Sequence, residues 1–172
     1  MCKYLHLIFF VLLVNFSFAQ TQNHSSLINE AMQKAKIENK QVFINYLAEG
    51  CEMSEKMKDQ LSLNSFKANY VVVNIEVSKD EALEYVNCSN PVKSFSSGHC
   101  ETIEFPFWYV LDTTGNFTAT SFKENNYNIG YPNTKSDIND FIQVLRNTSK
   151  ISEAKLNVIS DRFISNSNLA SN

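Results

Sequence analysis

QVFINYLAEGCEMSEKM, residues 41–57, changes character halfway along. Val42 to Leu47 is apolar at nearly every position, as expected of a central strand covered on both faces. Gly50 breaks the run. Beyond it, Met53, Met57 and Leu61 recur at four-residue steps, the spacing of a helix. Cys51 therefore falls where the helix begins. There the first-turn N–H groups and the positive end of the helix dipole face its sulfur, a setting that suits a nucleophile. Glu49 and Glu52 oppose this with nearby negative charge. The Met53, Met57, Leu61 stripe reads as core packing rather than a metal or cofactor site.

Working outward, Ile28, Ala31, Met32 and Ala35 predict a helix from about Ser26 to Asn39, preceded by a leader over Gln20 to His24. Val71, Val73, Ile75 and Val77 alternate within a strand over Tyr70–Val77. Strand, helix and strand make a parallel crossover unit. Lys79–Val86 reads as a short helix, followed by an irregular segment, residues 87–105, with Pro91, a serine cluster and Gly98. Loops of that length are functional or disordered more often than not. FPFWYVLD then places Pro106 directly before a strand over Phe107–Leu111. Asp112 to Gly115 is a turn, and Phe117–Phe122 returns antiparallel. A polar loop over Lys123–Lys135 leads to a helix over Asp137–Arg146, whose Ile138, Phe141, Ile142 and Leu145 share a face. Ser152 is suited to cap one more helix, with Ile151 stapling onto Leu156 and a stripe of Leu156, Ile159 and Phe163. That stripe packs on the domain or on a partner, and a polar tail follows from Ser165.

From about Ser26 to Asn147 the chain resembles a thioredoxin-like domain of the secreted bacterial kind. Ala48-Glu49-Gly50-Cys51 matches the start of that family's Ala-Glu-x-Cys-x-x-Cys motif, and Ser54 stands where the second cysteine belongs. Pro106 matches the family's cis-proline, which lies against the cysteine motif and helps to hold a substrate strand. The resemblance implies an α/β three-layer sandwich: a central mixed sheet with helices on both faces, here with an extra C-terminal helix. Three departures bear on activity. Ser54 supplies no resolving thiol. Asn45, six residues before Cys51, replaces a buried Asp that relays protons in thioredoxins, and an amide takes no proton at neutral pH. Gly50 replaces the usual Trp.

The chain has 172 residues, 44% of them hydrophobic, enough for one domain with a core. Its formal net charge is −3 and it has no basic run, which argues against nucleic acid as a partner. Four glycines and the lack of a P-loop or GxGxxG argue against a phosphate-cradling loop. Residues 1–19 read as a secretory signal: Lys3, an apolar run from Leu5 to Val14, and a cleavage site at Ser17-Phe18-Ala19. The domain then spans 20–149, and the helix and tail 150–172. Export, to the periplasm or beyond the cell, leaves no membrane span after cleavage and places Cys51, Cys88 and Cys100 in an oxidising compartment.

Cys88 and Cys100 are twelve positions apart. Joined, they form a structural disulfide worth roughly 3 kcal/mol in the chain-entropy model. The alternative pairs Cys100 with Cys51 as the missing resolving thiol. His99 beside Cys100 lacks the paired spacing of a zinc site, so no metal and no cofactor are expected. By resemblance, the expected function is monothiol thiol–disulfide exchange, reductase- or isomerase-like, on extracytoplasmic proteins. Cys51 attacks, Ser54 hydrogen-bonds its sulfur, and Pro106 supports a protein or peptide substrate bearing a thiol or disulfide. Release then falls to a second thiol, such as glutathione. The alternative is a non-catalytic binding or chaperone-like module that keeps the fold.

Overall fold

The computed structural model describes residues 24–78, 104–124 and 127–167. The leader at 1–19, the helix expected over Lys79–Val86, residues 87–103 with Cys88 and Cys100, and the end of the tail lie outside the described residues.

Helix α1 runs His24–Glu38. His24 therefore belongs to the helix, not to a leader, and its ring meets Tyr46 edge-on at 6.5 Å. Asn39 ends the helix at φ 50°, a left-handed conformation that asparagine tolerates better than most residues. Strand β1, Gln41–Ala48, follows at once, and its six residues from Val42 to Leu47 are all buried. Helix α2 (Glu52–Leu61), a single helical turn α3 (Asn64–Lys67) and strand β2 (Tyr70–Val77) complete the crossover. β2 pairs with β1 in parallel, Gln41 opposite Tyr70 and Ala48 opposite Val77. On the other side β3 (Phe107–Leu111) runs antiparallel to β1, Val42 opposite Leu111 and Tyr46 opposite Phe107. β4 (Phe117–Thr120) pairs antiparallel with β3, giving the order β2-β1-β3-β4.

The alternation of strand side chains splits the core in two. Val42, Ile44, Tyr46, the alternate valines of β2 and Phe107 pack beneath α1 with Ala31 and Ala35. On the opposite face Phe43, Trp108 and Val110 meet Met57 and Leu61 of α2, and Ile138, Phe141, Ile142 and Leu145 of α4 (Lys135–Thr148). This is a thioredoxin-like three-layer α/β sandwich with a mixed sheet at its centre. The added helix α5, Glu153–Asn166, packs its stripe of Leu156, Ile159 and Phe163 into the second core, so it belongs to the domain. Ser152 occupies the cap position, but its hydroxyl makes no capping bond; its carbonyl accepts from Lys155 N and Leu156 N. Among the described residues no helix is long and apolar enough to cross a membrane.

Two boundaries and one loop differ from the sequence expectation for physical reasons. α4 starts at Lys135 because Thr134 caps it: Thr134 Oγ1 accepts from Asp137 N at 3.1 Å and donates to Asp137 Oδ2 at 2.6 Å. β4 stops at Thr120 because the chain folds back on itself. Ile129 N donates to Ser121 O, Lys123 N to Tyr127 O, and Phe122 bridges to Asn128. The loop expected to be polar surface consequently turns Ile129, Gly130, Tyr131 and Pro132 inward.

The β3–β4 turn is closed by one carboxylate. Asp112 Oδ1 accepts from Thr114 N, Thr114 Oγ1 and Asn116 N, and Oδ2 accepts from Asn116 Nδ2. The Thr114 hydroxyl, then the Asn116 amide, hold the Asp112 carboxyl below the usual aspartate range. A depressed folded-state pKa gives stability that is complete above the unfolded value, about 3.9, and is lost as pH falls through the folded one. Asp112→Asn is therefore expected to lower the thermal midpoint at pH 7, with the gap to wild type closing on acidification below the ordinary carboxylate range. A gap that stays constant down to the lowest pH at which the protein folds would contradict this.

Candidate active site

The sheet register brings Cys51 and Pro106 together. Tyr46 pairs with Phe107, and continuing that antiparallel register places Phe105 beside Ala48, three residues before Cys51. The Phe105–Pro106 peptide bond is cis. Cys51 is half-buried, and its thiol donates to Phe105 O at 3.6 Å, a long contact of the kind sulfur makes. Pro106 is buried beside it.

The turn that presents the sulfur is held from both sides. Glu49 N donates to Val77 O of β2, Cys51 N donates to Ala48 O, and Gly50 takes φ 72° between them. Cys51 is the N-cap of α2 with extended backbone (φ −88°, ψ 114°), and its carbonyl accepts the first helical bond from Glu55 N. Its side chain makes no capping bond to the helix. Glu52 and Lys56, one turn apart on α2, pair at 2.8 Å. The hydrogen bond from Lys56 holds the Glu52 carboxyl below the usual range, and Glu52 raises Lys56 in return. Glu52 is thus charged but compensated by Lys56.

Ser54 lies elsewhere than the sequence suggested. It is fully buried, and its hydroxyl oxygen accepts from Ala48 N at 3.1 Å. The expected bond to the Cys51 sulfur is not among the hydrogen bonds of the described residues. β3 stops opposite Tyr46, so the Ala48 N–H has no partner in that ladder, and a buried donor without a partner is costly. Ser54 meets that need. Asn45 is also fully buried, on the α2 side of β1; its Nδ2 donates to Asn74 Oδ1 at 3.3 Å, while its Oδ1 has no partner among the described residues. Trp108 is core, with its indole N–H donating to Gly130 O at 2.9 Å; Phe107 is core, stacked on Tyr46 at 4.5 Å. Cys88 and Cys100, the other thiols proposed for pairing, lie outside the described residues.

Two residues at this site escaped the sequence reading. Asn128 Nδ2 donates to Glu104 O at 2.6 Å and to Pro106 O at 3.0 Å, and its Oδ1 accepts from Gly130 N at 3.1 Å. Gly130 has φ 52°, and a Cβ built on it would stand 2.8 Å from Pro106 O. The available signal was the pattern Asn-Ile-Gly-Tyr, apolar residues and one of only four glycines inside a polar loop.

No protein-family model matches the chain, and no curated protein matches it. Among solved structures it is similar to a disulphide isomerase from Xylella fastidiosa Temecula1, with a TM-score of 0.43 and 14% identity over 62% of this chain and 79% of that one. A likeness that distant says nothing about chemistry.

Proposed function

We propose that this protein carries out thiol–disulfide exchange through Cys51, as an exported monothiol catalyst acting on protein or peptide disulfides. The observation that carries the reading is the half-buried Cys51 sulfur at the first turn of α2, 3.6 Å from the carbonyl just ahead of β3. A nucleophile at a helix start beside a half-buried strand entrance can receive an extended peptide. The Cys51 thiolate attacks one sulfur of a substrate disulfide. That S–S bond breaks, a Cys51–substrate disulfide forms, and the departing thiolate takes a proton from water. Ser54 has no sulfur, so a glutathione thiolate attacks the Cys51 sulfur, which releases the substrate's second thiolate and leaves a Cys51–glutathione disulfide; a second glutathione thiolate attacks the glutathione sulfur of that bond, which frees the Cys51 thiolate and forms glutathione disulfide. The sum is one substrate disulfide and two thiols in, one dithiol and one glutathione disulfide out. Pro106 supports the substrate segment. Ser54, bonded to Ala48 N, positions the first turn of α2 rather than acting on sulfur.

The test is insulin reduction with glutathione present. Wild type is expected to accelerate it above the glutathione background, and Cys51→Ala to return it to that background. Equal rates for the two proteins would transfer support to the second reading, a thioredoxin-fold binding or chaperone-like module. That reading draws on Asn45, an amide buried where the resemblance leads one to expect a proton-relaying carboxylate.

A further inference from the structure

Three successive carbonyls ahead of β3 accept hydrogen bonds, and the outer two share one donor. Glu104 O and Pro106 O both accept from Asn128 Nδ2, while Phe105 O, between them, accepts from Cys51 Sγ. A side-chain amide nitrogen has two hydrogens, and here each has its own acceptor. The remaining atom of the amide, Oδ1, takes Gly130 N, and Gly130 O takes the buried indole N–H of Trp108. Asn128 is therefore tied through Gly130 to the fully buried Trp108. Glycine is required at the junction: φ is 52°, and a Cβ would meet Pro106 O at 2.8 Å and Asn128 Nδ2 at 3.4 Å.

We infer that Asn128 is a positioning residue for the Cys51 site: by gripping the carbonyls of Glu104 and Pro106 it aims the carbonyl of Phe105 at the sulfur and fixes the segment a substrate would lie along. The inference rests on the proposed exchange activity for its meaning, but its geometry can be tested without it. Without Asn128 Nδ2, both outer carbonyls lose this donor and the hold that aims Phe105 O at the sulfur weakens. The sulfur then loses its acceptor and becomes more open to a small reagent, while a protein disulfide loses the surface that orients it.

The experiment uses the full chain and compares wild type, Asn128→Ala, Asn128→Ser (which retains one donor) and Thr148→Val. Thr148 bonds Tyr70 OH at 2.6 Å, at the opposite end of the sheet, so its loss is a structural control. Alkylation of Cys51 by iodoacetamide is followed by peptide mass spectrometry, which separates it from Cys88 and Cys100. Insulin reduction is followed in parallel, and thermal unfolding reports folding. In Asn128→Ala, Cys51 alkylation is expected to rise severalfold while exchange falls about tenfold, mostly in kcat. Asn128→Ser is expected to fall between it and wild type, and Thr148→Val to change neither rate. Unchanged Cys51 alkylation in a folded Asn128→Ala protein overturns the inference, as does a Thr148→Val protein that shows the same pair of changes. Altered alkylation together with wild-type protein that never reduces insulin would sustain the positioning role and remove the exchange reading instead.

Discussion

Phe141→Ala is expected to lower the free energy of unfolding by about 3–5 kcal/mol. Phe141 has no exposed surface, and its ring meets four others from four elements. Trp108 of β3 lies at 5.3 Å and Phe163 of α5 at 5.3 Å; Phe43 of β1 and Phe66 of α3 each lie at 6.3 Å. The contacts with Phe43, Trp108 and Phe163 are edge-to-face, the geometry that adds to simple burial. Truncation removes the ring from the point where sheet, α4 and α5 meet, and large rigid neighbours cannot collapse to fill the space. Set against a typical total of about 5–15 kcal/mol, that loss is a large share. Guanidinium unfolding followed by the fluorescence of Trp108, the single tryptophan, measures it. Val158→Ala, on the outer face of α5 with Val158 66% exposed, is the control and is expected to shift stability by no more than about 0.5 kcal/mol. A Phe141→Ala loss below about 1 kcal/mol would mean that α4 and α5 are not jointly packed on the sheet.

That core was legible because its signals are local. Val42 to Leu47 announces a two-sided strand by being apolar throughout, and Ile138, Phe141, Ile142 and Leu145 announce a face by their spacing. β2 and β3 fall on the residues their patterns predict. The helix start at Cys51 also followed from sequence, since a strand break is marked by residue type, whereas the nearness of Pro106 was what the resemblance implied. What was not legible depends on which polar group is left over once the sheet has formed. Ser54 was expected to serve the sulfur, because a hydroxyl is a competent donor to a thiolate. It serves Ala48 N instead, because β3 ends one pair too early to satisfy that amide. Asn128 and Gly130 were read as part of a polar loop, because composition cannot say that a loop doubles back to pair with Ser121, Phe122 and Lys123 and faces inward. Cap residues behave alike: Thr134 extends α4 by bonding Asp137, a contact that exists only once the helix does. Periodicity reports buried faces, and single hydrogen bonds at element ends are settled by the assembled fold.

Gly130→Ala is expected to cost about 2–5 kcal/mol, the sum of two separable effects. The first is conformational. At φ 52° an alanine is held in the left-handed region, which costs an L-residue roughly 1–2 kcal/mol. The second is steric and specific to this place: the new Cβ would lie 2.8 Å from Pro106 O, a backbone atom that cannot swing aside as a side-chain end would. Gly50→Ala isolates the first effect. Gly50 sits at φ 72° with nothing within 4 Å of an added Cβ, so alanine there meets strain without a collision. The excess of the Gly130 loss over the Gly50 loss, about 1–3 kcal/mol, is then the cost of pushing Pro106 O away. That push runs along the line connecting the Gly130 loop to the segment that faces Cys51, so it acts on the sulfur too. Cys51 alkylation in Gly130→Ala is expected to change in the same direction as in Asn128→Ala. Equal losses of stability for the two glycine variants would show that Gly130 is needed only for its backbone angle. The close approach between its loop and Pro106 would then have no part in holding the site.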